Sequence, residues 1–188
     1  MKIGDEMDQT YNNVKKVAYQ KDTNCCTVIS ASIAFDKDYQ ETYDFFRANG
    51  RLDNRGLSPY RTDKMFRKFA KLHNYTVESY VPRYSSRKWN WINLQGSHFN
   101  SEKSYKCIAI TKTKTAITIN NFNDYLPLGT YILGVSGHVL AVKNGIIHDW
   151  SSNVYGKTSQ RRVNRIYKIE SNKKQENKKE SDFLKYVY

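Results

Sequence analysis

Apolar residues recur at helical spacing in the first half of the chain and gather into short runs in the second half. The run Cys25 to Phe35 follows Thr23 and Asn24, both suited to an N-cap, and predicts a first helix. Asp38 to Ala48 sets Tyr39, Tyr43 and Phe46 on one stripe and stops at Asn49-Gly50. Thr62 to Leu72 repeats the pattern, with Met65, Phe66, Phe69 and Leu72 inward, Arg67, Lys68 and Lys71 outward, and His73 at its end. Strands are predicted over Tyr75 to Val81, Tyr105 to Ile110 with Cys107 in the core, Ala116 to Ile119 and, last, Arg161 to Ile169. A short helix is predicted over Asn121 to Leu126, whereas residues 83 to 104 follow neither period.

Residues 131 to 143 are rich in Val, Ile and Leu, and Asn144-Gly145 after them is a strong two-residue hairpin signal, because both central positions need positive φ. If Lys143 pairs with Ile146, Leu140 faces Asp149 and Ser151 faces His138. Side chains alternate across a strand, so His138, Leu140, Asp149 and Ser151 share one face and His148 takes the other. His138 and Asp149 become diagonal neighbours, roughly 7–8 Å apart at the backbone, a gap two side chains can close.

A thiol near the start of a helix completes a chemically meaningful set. The first-turn N–H groups and the helix dipole stabilise a thiolate, an imidazole takes its proton, and a carboxylate orients the imidazole. Cys26, His138 and Asp149 can fill these roles. The same N–H groups can hold an oxyanion, with Gln20 and Asn24 as candidate side-chain donors. Trp89, Trp91 and Trp150 are candidate walls of a substrate groove. Three cysteines, two of them adjacent, argue against a disulfide framework. No C-x-x-C or H-E-x-x-H pattern occurs, so no metal and no cofactor is expected.

The stretch Asp22-Thr23-Asn24-Cys25-Cys26-Thr27-Val28-Ile29-Ser30-Ala31, followed by Asp38-Tyr39-Gln40-Glu41-Thr42-Tyr43, resembles the N-terminal helix of small papain-like cysteine peptidase domains found in bacteriophages and mobile elements. Gly137-His138, Asn144-Gly145 and His148-Asp149-Trp150 resemble their His and Asp strands. The resemblance spans roughly residues 18 to 169. It implies an α+β, papain-like fold, with N-terminal helices carrying the Cys packed against an antiparallel sheet carrying the His and Asp. It further implies a phage-encoded thiol hydrolase acting on a peptide, isopeptide or glutamine amide, with Cys26, His138 and Asp149 as its triad. Cys25 stands where relatives often carry an acidic residue, which leaves the nucleophile to be decided between the two adjacent thiols.

With 188 residues, 39% of them hydrophobic, one domain over residues 1 to 170 is expected, followed by a polar, flexible tail over 171 to 188. No transmembrane run is present, and Met1 to Tyr11 is acidic and polar rather than a signal peptide, so a cytoplasmic protein is expected, in the host cell if phage-encoded. The net charge of +13 resides in Arg61 to Lys71, Arg83 to Lys88 and Arg161 to Lys168 rather than in the tail, where five lysines meet three acids. Such a surface suits a protein or peptide substrate of acidic character, host-derived for a phage enzyme, nucleic acid or an anionic membrane surface, or else is general basicity spread over solvated faces. Arg161, Arg162 and Arg165 read as a patch remote from the thiol. The alternative to an enzyme is a catalytically silent basic module on the same fold, binding nucleic acid or a host protein.

Overall fold

A computed structural model of the protein describes residues 22–82, 116–149 and 160–172. The expectations for residues 105–110, for Cys107 and for the tail beyond residue 172 lie outside them. Among the described residues the fold is α+β: three helices and a five-stranded antiparallel sheet. None of these helices is long and apolar enough to cross a membrane.

Helix α1 (Cys26–Ala34) is buried from Thr27 to Ala34, so Cys26 is the single one of its nine residues that is not. A helix apolar all round belongs in a core, and this one lies between helix α2 (Tyr39–Ala48) and the sheet. In α2, Asp38 Oδ1 caps the start by accepting from the Gln40 and Glu41 N–H groups at 2.7 and 3.1 Å. Helix α3 (Pro59–Leu72) begins three residues earlier than its apolar pattern suggests, because Ser58 caps it and Pro59 fits the first turn. Its buried stripe is Met65, Phe66, Phe69 and Ala70. Leu72, expected inward, is 64% exposed: it falls in the last turn, past the packed stripe. Arg67, expected outward, instead donates to Asp63 Oδ2 at 3.1 Å, the Val77 carbonyl at 3.1 Å and Ser79 Oγ at 2.8 Å. Ser79 Oγ donates in turn to the buried Asp63 at 2.7 Å. A carboxylate as buried as that of Asp63 needs this much partnering, and the network, with Arg67 partly exposed, fixes α3 against the sheet.

The strands are β1 (Tyr75–Tyr80), β2 (Thr130–Val135), β3 (His138–Lys143), β4 (Ile146–His148) and β5 (Arg165–Ser171), in the order β1-β5-β2-β3-β4. The run read as continuous over 131 to 143 is two strands, turned at Ser136-Gly137 so that Val135 pairs with His138. Gly137 supplies the φ of +72° that the turn needs. Asn144-Gly145 forms the expected second turn, with φ of 50° and 82°. β5 begins four residues later than expected and runs on to Ser171, paired with Tyr75, which takes the first residue of the expected tail into the sheet. Residues 161–163 run instead beside 117–119, where the expected strand reduces to the isolated bridge Thr118–Arg162. Ile117, Ile119 and Val163 are there as core. The short 3-10 turn Phe122–Asp124 replaces the predicted helix over 121 to 126.

Both faces of the sheet are covered. Ile132, Ala141, Tyr167 and Ile169 meet the helices, with Phe66 edge-on to Tyr167 at 5.0 Å. Leu133, Leu140, Val142 and Ile166 meet Ile117, Phe122 and Leu126 on the other side. α1 crosses β3 closely enough for Ser30 Oγ to donate to the Val139 carbonyl at 3.1 Å. That contact brings the first turn of α1 to the first residues of β3.

Candidate active site

The approach to α1 is held by a buried ion pair. Asp22 and Arg51 are each 2% exposed, and the Arg51 guanidinium bonds the Asp22 carboxylate. Asp22 Oδ1 accepts from the N–H groups of Asn24 at 2.8 Å and Asn54 at 3.0 Å, while Arg51 Nη2 donates to the Asn24 carbonyl at 2.8 Å. Residue 24 is thereby gripped at its N–H and its carbonyl. Arg51→Ala should cost about 3–5 kcal/mol, because it leaves the Asp22 charge buried without a partner. Chemical denaturation of the purified variant measures the loss.

Neither expected cap residue caps α1. Thr23 donates from N and Oγ1 to Asn54 Oδ1, both at 3.0 Å, and Asn24 Nδ2 donates to the Asn54 carbonyl at 3.3 Å. Asn54 outcompetes the helix end for these groups. The N-cap is Cys25, with no side-chain cap bond. The N–H groups of the first turn are therefore not engaged by a capping side chain, which leaves them for an anion at the thiol.

The two adjacent thiols differ sharply. Cys25 is buried, and burial together with the nearby Asp22 charge pushes its pKa up. Cys26 is half-buried and pushed down. Burial works against its thiolate, yet the hydrogen bond and positive charge of His138, a backbone hydrogen bond from Val139 and the Thr27 hydroxyl outweigh that cost. Thr27 Oγ1 lies 4.0 Å from its Sγ.

His138 stands directly after the Gly137 turn. Lys143 pairs with Ile146, Val142 with Ile147 and Ala141 with His148, the register expected from Asn144-Gly145. β4 ends there, and Asp149, the next residue, carries its side chain to His138. His138 Nε2 lies 2.7 Å from Asp149 Oδ1, and the two side chains are only 9% and 4% exposed. His148, of the opposite parity, is buried opposite Ala141. Nε2 faces Asp149, so a proton leaving the Cys26 thiol would pass to Nδ1. Burial favours the neutral ring, but the bonds to Asp149 and then to Cys26 prevail and raise the His138 pKa to about 9. The two shifts run in opposite directions, toward the thiolate on Cys26 and the imidazolium on His138.

Cys26 and His138 open onto a cleft of about 370 Å³, walled among others by Asn24, Leu57, Pro59, Gly134, Arg165 and Tyr167. Of the expected site residues, Cys26, His138, Asp149 and Asn24 come together, whereas Gln20, Trp89, Trp91 and Trp150 lie outside the described residues. Arg165 does not belong to a remote patch. Arg161 and Arg162 are exposed, but Arg165 opens β5 opposite Gly134 and faces the cleft. Asp22 and Arg51 gave no periodic signal in the sequence, since an acid before a turn and a base after a helix stop are ordinary on a surface. Compared with known protein families, curated proteins and solved structures, the chain gives no match.

Proposed function

We propose that the protein is a papain-like, thiol-nucleophile amide hydrolase using Cys26, His138 and Asp149. The observation that carries this is the convergence of Cys26 and His138 on the wall of one cleft, with His138 Nε2 held 2.7 Å from Asp149 Oδ1. The arrangement of thiol-bearing helix against sheet-borne His supports the same reading. The Cys26 thiolate attacks the substrate carbonyl carbon, forming a C–S bond while negative charge gathers on the oxygen. The backbone N–H groups opening α1 are the donors for that oxyanion, since the Asn24 amides already donate to Asp22 and to the Asn54 carbonyl. The C–N bond breaks as the His138 imidazolium gives its proton to the departing amine. Water then attacks the thioester, His138 takes its proton, the C–S bond breaks, and acid and thiolate are released. Asp149 holds the ring and its charge throughout.

Two ionisations set the pH range. The thiolate is present above a thiol pKa held below its ordinary value, and the proton on His138 is lost above about 9. Activity should therefore extend below the pH at which an ordinary thiol ionises and decline as pH rises through about 9, as measured by initial rates of amide hydrolysis against pH. The reading is tested by treating the full chain with iodoacetamide at mildly acidic pH and mapping the modified cysteine. Selective labelling of Cys26 is the expected result. Unselective labelling, or labelling only at alkaline pH, would sink the proposal.

A further inference from the structure

We infer that the substrate carries an acidic side chain close to the scissile amide and that Arg165 selects it; this deepens the hydrolase reading above and rests on it. Among the described residues that line the cleft beside Cys26 there is one arginine and no Asp or Glu. Asp149 faces the far nitrogen of His138 and is not among them. A guanidinium offers a planar fork of donors matched to a carboxylate, which makes Arg165 a recognition group of definite chemistry.

Its placement depends on Gly134. Gly134 and Arg165 are direct partners across β2 and β5, and the Asn164 N–H bonds the Gly134 carbonyl at 2.9 Å. A Cβ on residue 134 would come within 3.0 Å of Arg165 Cβ and 3.5 Å of Asn164 Oδ1. Gly134 does not have positive φ, so space rather than backbone conformation calls for glycine here. The missing side chain leaves room for the Arg165 stem at the cleft wall. Arg165 also shares its strand parity with Tyr167 and Ile169, which pack under the helices. Its side chain therefore belongs to the face on which α1 presents Cys26. The net charge of +13 acts in the same direction at long range, drawing acidic polypeptides toward the molecule.

The test uses peptidyl electrophiles that differ only by Glu or Gln at each of the first three positions beside the reactive carbon, with modification of Cys26 in the full chain followed by mass spectrometry. At one position the Glu probe should react about tenfold faster than its Gln twin, the effect expected of one charge-assisted hydrogen bond. That ratio should fall toward one in Arg165→Gln and return in Arg165→Lys. A purely structural role would slow both probes together and leave the ratio, which would overturn the inference, as would a ratio near one at all positions in the unaltered protein. Should Arg165→Gln not fold, the unaltered chain still decides. N-acetyl-glutamate amide should protect Cys26 from iodoacetamide better than N-acetyl-glutamine amide, and equal protection would refute acid selection. Reaction of Cys26 without acid preference overturns this inference alone, whereas no reaction of Cys26 with any probe overturns the hydrolase reading with it.

Discussion

Cys26→Ala is expected to lower amide hydrolysis by a factor on the order of 10⁶, the loss seen when the nucleophile of a triad is removed and only binding remains. Cys25→Ala, one residue away, should keep the chemistry and lose on the order of 1 kcal/mol of stability from trimming a buried side chain. The contrast follows from opposite environments. Cys25 is 4% exposed and its thiol is held protonated by burial and by the Asp22 charge. Cys26 meets His138 and the cleft. Initial rates and cysteine mapping on both variants settle the matter. Preserved labelling in Cys26→Ala with loss in Cys25→Ala would move the nucleophile by one position.

Asp149→Asn should retain the fold and reduce turnover about 10²–10⁴-fold, the range for a group that orients and charges a catalytic base. The asparagine carbonyl can still accept from Nε2, but the negative charge that raises the His138 pKa to about 9 is gone. The imidazolium then titrates at lower pH. The alkaline limb of the rate profile should move down accordingly, which distinguishes loss of charge from loss of geometry. His148→Ala, one residue earlier and of opposite strand parity, should leave the alkaline limb in place. An Asp149→Asn variant with an unchanged profile would remove Asp149 from the mechanism.

Much of the site was legible because its geometry is local. Asn144-Gly145 fixes a hairpin, a hairpin fixes register, and register puts His138 and Asp149 on one parity with His148 on the other. The place of Cys26 at the start of a helix was legible in the same way. The errors share one cause: they lie where a distant group competes with a local signal. Asn54 takes the side chains that would cap α1, and the Asp63–Ser79 pair draws the guanidinium of the partly exposed Arg67 toward the sheet. Gly137 divides a run that apolar content alone reads as one strand.

By itself, then, the order of residues determined the helical and strand periods, the turn at Asn144-Gly145 and the relation of His138 to Asp149, since each arises from contacts a few residues apart. Tertiary structure decided which thiol meets the imidazole. Cys25 and Cys26 are equivalent in composition and neighbours in sequence, and they part only when α1 packs on β3, sending one side chain into the core and the other to the cleft. It also decided the chemistry around them. The buried Asp22–Arg51 pair joins segments far apart in the chain, and Arg165 reaches the cleft through its pairing with Gly134 across two strands. Long-range partners leave no period in a sequence, because what pairs them is the path of the folded chain rather than their spacing along it.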